Sequence, residues 1–245
     1  MKATKLIMGM PVTVEVVGQD TAADMKAVFN YFRAVDRRYS TYKATSEISL
    51  VNAGLPRDKW SDELAWVLDL CADTTGATEG YFDARRPDGT IDPSGLVKGW
   101  AIQNAANLLR LRGHANFYIE AGGDIQAYGR NPAGKPWRVG IRNPFDITEV
   151  IKVIELDNAA VATSGAYIRG DHIYDPHQPR RKLQGVASLS VVAPTIYDAD
   201  RFATAAYAMG QRGIGFVESA AGLEGYQVDD RGTATYTSGF ERYIA

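Results

Sequence analysis

The apolar positions of this chain fall into short runs of two different periods. Met25, Val28, Phe29, Phe32 and Val35 repeat at helical spacing through residues 21–37, which predicts a helix with one apolar face. A second helix is predicted over 61–75, where Leu64-Ala-Trp-Val-Leu-Asp-Leu-Cys71 is almost wholly apolar. A third runs from Leu96 to about Arg112 with Ser94 as its cap. The stretch Thr195-Ile-Tyr-Asp-Ala-Asp-Arg-Phe-Ala-Thr-Ala-Ala-Tyr-Ala-Met-Gly210 predicts a fourth, capped by Thr195 or Asp198 and rich in small residues that let its backbone pack closely. A further helix is expected near Gly213 to Ala221.

Strand-like runs precede and separate these helices. One lies at the start, up to Val17, and others at 115–128, 136–142, 149–156, 159–164, 171–175 and 185–193. Two terminal strands are expected at Gly225-Tyr-Gln-Val-Asp229 and Ala234-Thr-Tyr-Thr-Ser238. Residues 40–52 read as a polar loop, Gly80 to Gly95 as a Gly- and Pro-rich loop, and Gly129 to Trp137 as a hairpin turn. Strands and helices do not alternate regularly, so the expected class is α+β in one domain over 1–245, not a doubly wound parallel sheet.

Composition narrows the chemistry. The chain has 245 residues, 45% of them hydrophobic, enough for a substantial core. A net charge of −2 gives no basic field for nucleic acid. The single cysteine, Cys71, excludes an internal disulfide and any multi-cysteine metal site, and the three histidines lack the spacing of a two-histidine helix site. A metal, if bound, is therefore expected on oxygen. No window reaches the length of an apolar membrane span, and the sequence as written shows no signal-peptide pattern or N-terminal lipidation cysteine, which predicts a cytoplasmic location, or an exported one if the sequence is a trimmed mature form.

Four segments could carry reactions. Asp200 and Thr204, four apart at a helix start, would share one helical face and suit a hard cation such as Mg²⁺, although an aspartate there is also favoured by the helix dipole alone. Ile91-Asp-Pro-Ser-Gly-Leu-Val-Lys-Gly-Trp-Ala101 sets Asp92, Gly95 and Lys98 at a loop-to-helix junction, a natural anion site or an ordinary helix start with Lys98 in solvent. Glu120-Ala-Gly-Gly-Asp-Ile-Gln126 lets a backbone lie against a phosphate, or marks a bulge. His172, between Asp171 and Asp175, could accept a proton from a hydroxyl or be a structural histidine. Ser164 lacks the surroundings of a hydrolase nucleophile.

Taken in order, Met8-Gly-Met-Pro, Ser40-Thr-Tyr with Ser46-Glu-Ile-Ser and Asn52, the Ile91 to Ala101 segment, Glu120-Ala-Gly-Gly-Asp-Ile, Ala162-Thr-Ser-Gly, His172-Ile-Tyr-Asp-Pro and Ala193-Pro-Thr to Gly210 resemble the ApbE family of FAD:protein FMN transferases. The resemblance implies a mixed α+β fold of the T-fold type, antiparallel sheets packed by helices. It implies Mg²⁺ held by Gly95, Asp200 and Thr204, and FAD contacted by Met8, Ser40 or Tyr42, Asp92, Lys98, Gly122, Gly123, Asp124 and Ile173. His172 and Lys98 are then the catalytic candidates. The activity implied is transfer of FMN from FAD to a Thr or Ser of an acceptor flavoprotein, within a segment of the type Asp-x-x-Ser/Thr-Gly-Ala-Thr, with release of AMP. An FAD pyrophosphatase and a non-catalytic FAD carrier are the alternatives. The segment Phe82 to Gly89 is shorter than the family's usual loop, so contacts there are expected to differ. Neither the acceptor nor the oligomeric state is legible.

Overall fold

The computed structural model describes residues 1–166 and 173–245. Strands β1 (Lys2–Ile7) and β2 (Met10–Val16) open the chain as a hairpin, turning through Met8 and Gly9, both at positive φ. The initial strand-like run is thus two strands, because a turn of two left-handed residues joins strands whose twist matches it. Helix α1 (Ala22–Tyr39) follows and buries Met25, Val28, Phe29, Phe32 and Val35 as their spacing demands. The loop expected over 40–52 contains a short helix, α2 (Glu47–Asn52), capped by Ser46, whose side chain accepts from Ser49 N–H. Six residues are too few for periodicity to register.

Helices α3 (Asp62–Ala77) and α4 (Ser94–Leu111) come next. Ser94 is the first helical residue of α4 rather than its side-chain cap. Asp92 serves the helix start instead, its Oδ1 accepting from Ser94 N–H at 3.0 Å. The run 115–128 divides into β3 (Phe117–Ala121) and β4 (Asp124–Tyr128) at Gly122 and Gly123, both of positive φ. Then follow β5 (Trp137–Arg142), β6 (Val150–Leu156), β7 (Ala159–Gly165) and β8 (Ser188–Ala193). The strand expected over 171–175 is not seen: residues 173–175 are irregular, and 171 and 172 lie outside the described residues. Helices α5 (Ile196–Ala208) and α6 (Gly213–Ser219) and strands β9 (Glu224–Val228) and β10 (Ala234–Tyr236) complete the chain.

Eight strands form one antiparallel sheet in the order β1-β2-β3-β4-β7-β8-β9-β10. Its inner face packs on α1, α4 and α5, with Val12, Val14, Phe117, Ile119, Leu189 and Val191 meeting the helices in the main core. The β5–β6 hairpin lies on the opposite face, where Trp137, Ile141, Ile154 and Leu156 pack with Val161, Val192 and Tyr226. The result is three layers, helices, sheet and hairpin, as the α+β expectation requires. No described helix is long and apolar enough to cross a membrane.

Candidate active site

The site begins with two glycines one helical turn apart. A Cβ on Gly99 would stand 2.6 Å from both Asp200 Cβ and the Ile196 carbonyl, and one on Gly95 would stand 3.1 Å from Phe82 and 3.2 Å from Thr204 Cγ2. Only hydrogen fits at Gly99, so α4 and α5 touch nearly backbone to backbone. That approach sets Asp200 and Thr204 of α5 against the first turns of α4. The start of α5 is itself fixed, by Thr195 accepting from Asp198 N–H and by buried Gln126, whose Oε1 accepts from Ile196 N–H at 2.8 Å.

Asp200 is buried, and Gly99 N–H donates to its Oδ2 at 2.7 Å. Its Oδ1 lies 3.2 Å from Lys98 Nζ, which also lies 2.5 Å from Oδ2 of buried Asp124. Burial pushes the Asp200 carboxyl well above the usual aspartate range; Lys98 opposes the shift and Asp124 adds to it. Asp124 Oδ1 accepts from Thr163 N–H at 3.1 Å, which ties this cluster to β7. Thr204 Oγ1 donates to the Gly95 carbonyl at 3.4 Å. A carboxylate, a hydroxyl and a main-chain carbonyl thus converge, an all-oxygen set that fits a hard cation such as Mg²⁺. Among the described residues no group of three or more His, Cys, Asp or Glu could hold a metal, so this mixed set is the candidate.

These residues line a cleft of about 110 Å³ at the N-terminal end of α4. Gly122, Thr163 and Ile173 form its other walls. Its lining carries Asp83, Asp92 and Asp200 against Arg86 and Lys98, so carboxylates outnumber cations. Beside the cleft, and sharing Asp92, Ser94 and Lys98 with it, lies a second space of about 460 Å³ lined by Met8, Ser40 and Tyr42. Tyr42 is 97% exposed, a large aromatic ring held against solvent in the rim of that space.

The structure therefore brings Gly95, Gly122, Ile173, Asp200 and Thr204 to one cleft and Met8, Ser40 and Tyr42 to the space next to it, with Asp92 and Lys98 in both. Gly123 faces a third space, and Asp124 stands behind Lys98, only 1% exposed. His172 lies outside the described residues. Two residues have parts that their sequence positions do not reveal. Arg86 ion-pairs with Asp92 from a small hairpin in which Asp92 N–H donates to the Ala84 carbonyl at 2.7 Å and Arg85 bridges Ile91. Asn52 anchors that hairpin, donating from Nδ2 to the Ile91 carbonyl at 2.9 Å and accepting from Ile91 N–H at 2.8 Å. A Pro-Asp-Gly turn at 87–89 was the available signal.

The family model described as "ApbE family" matches residues 8–86 and 84–226. The chain belongs to the ApbE family. Among curated relatives, the FAD:protein FMN transferase of Vibrio cholerae serotype O1 is 35% identical over 143 residues, 54% of this chain and 43% of the relative. That of Escherichia coli (strain K12) is 28% identical over 166 residues, 64% of this chain and 47% of the relative. The matches thus span somewhat less than half the length of these relatives. The solved flavin transferase ApbE from Vibrio cholerae superposes with a TM-score of 0.87 at 24% identity, covering 100% of this chain and 99% of that one. The ApbE protein of Thermotoga maritima does so with 0.87 at 20% identity, again over 100% and 99%. At those identities the superpositions establish the shared fold.

Proposed function

We propose that this chain transfers FMN from FAD to a Ser or Thr hydroxyl of an acceptor flavoprotein and releases AMP. The observation that carries the reading is the convergence of Gly95, Lys98, Asp200 and Thr204 at the start of α4, in a cleft continuous with the Met8 and Tyr42 space, in a member of the ApbE family. The connected spaces suit an elongated substrate with a flat ring at one end and a diphosphate near the middle. Met8 and Tyr42 would contact the ring, while Asp92, Lys98 and the main chain at Gly122 would contact the linking groups.

Gly95, Asp200 and Thr204 would hold the divalent cation, which when bound offsets diphosphate charge and polarises the phosphoryl oxygens. Lys98 adds a fixed positive charge that Asp124 aims from behind. The acceptor oxygen bonds to the phosphorus on the FMN side, the bond from that phosphorus to the AMP oxygen breaks, and AMP leaves with the electron pair. The hydroxyl proton passes to a base, for which His172 is the candidate. Nearly all the catalysis asked of the chain is positioning and charge neutralisation, the demands of phosphoryl transfer generally.

The test is release of AMP from FAD with Mg²⁺, with and without a protein bearing an Asp-x-x-Ser/Thr-Gly-Ala-Thr segment. AMP matched by flavin that stays on the acceptor after denaturation supports the transferase. AMP with only free FMN would replace it by a pyrophosphatase, and bound FAD without AMP by a carrier.

A further inference from the structure

Among the described residues, strand β5 is paired along one edge only. On that side lies β6, and the far edge of β6 is covered by the C-terminal residues: Ile154 bridges Ile244, and Ala245 N–H donates to the Val153 carbonyl at 3.1 Å. Among the described residues no strand runs along the other edge of β5. That edge borders a groove of about 940 Å³ over the outer face of β2, β3 and β4, with Glu15, Tyr118, Glu120 and Ile125 as its floor. All six residues from Trp137 to Arg142 line it. Successive side chains of a strand point to opposite faces, so a wall that takes in both sets is the strand's edge.

The groove does not end blindly. At its inner end it includes Gly122 and Thr163, which also line the cleft, and Gly9 and Met10, which also line the Met8 and Tyr42 space. Among the described residues, a Cβ on Gly9 or on Gly123 would have nothing within 4 Å.

We propose that this groove receives an extended, hydroxyl-bearing segment of the acceptor protein, paired as a third strand along the free edge of β5. The proposal rests on the transferase reading and specifies where its second substrate enters. A row of unpaired N–H and C=O groups is matched by another extended backbone, the basis of recognition by strand addition. Six paired residues would run about 20 Å, with the end nearest Gly122 delivering its hydroxyl to the cleft. The groove lining carries Lys2, Arg138 and Arg142 against Glu15 and Glu120, an excess of cation that favours an acidic segment over a basic one.

Hydrogen exchange of the full chain, loaded with FAD and Mg²⁺, tests this with a non-reacting acceptor in which the serine of an Asp-x-x-Ser-Gly-Ala-Thr segment is replaced by alanine. Amides of residues 137–142 are expected to slow when that acceptor is added. In turnover with the serine-bearing protein, Glu120→Trp, which fills the floor, is expected to raise the acceptor KM by roughly tenfold or more with unchanged FAD affinity by flavin fluorescence, while Glu120→Gln, which keeps the floor open and removes one of its anions, is expected to give a KM for this acidic segment no higher than wild type. Unchanged β5 exchange in a wild-type protein that does transfer flavin would overturn the groove. So would loss of FAD affinity in Glu120→Trp, which would give the groove to the flavin, or β5 protection that follows the chain's own concentration, which would give it to a second copy. Absence of transfer in the wild type would instead overturn the transferase reading, and slowed β5 amides in that case would still support docking.

Discussion

The Gly99 N–H donates to Asp200 Oδ2 at 2.7 Å, a hydrogen bond from the backbone of one helix to the side chain of the next. It is possible only because a residue without Cβ sits where α4 and α5 cross. The same bond orients the carboxylate so that its other oxygen faces Lys98 and the cleft.

Asp200→Ala is expected to abolish Mg²⁺-dependent AMP release, a loss of at least about a hundredfold, since even indirect supports of a metal site cost 10 to 100. Asp200→Asn retains an acceptor for Gly99 and should fold normally while losing most activity. Isothermal titration with Mg²⁺ in the presence of FAD checks the assignment; wild-type metal affinity in either variant would remove Asp200 from it.

Gly99→Ala should cost about 1–3 kcal/mol by overpacking the helix crossing, read from urea unfolding, and should lower turnover with it. Gly215→Ala is the control. An added Cβ there meets nothing within 4 Å, so a neutral effect or a gain below about 1 kcal/mol is expected. Equal effects at both positions would contradict the account of the crossing.

Lys98→Met leaves Asp124 and Asp200 buried without their cation, and a loss of about 3–5 kcal/mol follows from breaking such an arrangement. Adding Asp124→Asn in the same chain should return much of the stability and none of the activity. Recovery of transfer in the double variant would mean that Lys98 acts only on folding.

His172→Ala is expected to slow transfer strongly while FAD binding, followed by flavin fluorescence, stays near wild type. Parallel loss of binding and turnover would assign the histidine a structural part instead.

How far the sequence could be read depended on the range of the interactions involved. Helix α1 was legible because five apolar residues at helical spacing must face one core. Helix α2 was not, since a one-and-a-half-turn helix is specified by Ser46 and its contacts and not by a period. Asp200 and Thr204 pair by their four-residue spacing, and Gly95 joins them only through the family resemblance, because their meeting depends on a close helix crossing between residues about a hundred positions apart, which local pattern does not encode. The partnership of Lys98 with Asp124 is hidden for the same reason: the sequence places Asp124 in a turn expected to contact FAD, whereas its carboxylate is buried behind Lys98. Arg85-Arg86 reads only as a local basic pair, because an arginine beside a turn has no signature until the hairpin around it closes on Asp92.

Gly95 and Gly99 serve the core and the candidate site with the same atoms. Any change that loosens the α4–α5 crossing would therefore unseat Asp200 and weaken the fold in one step. The chain has little room to trade stability against activity at this crossing, and a screen for melting temperature over these two helices would double as a screen for active-site geometry.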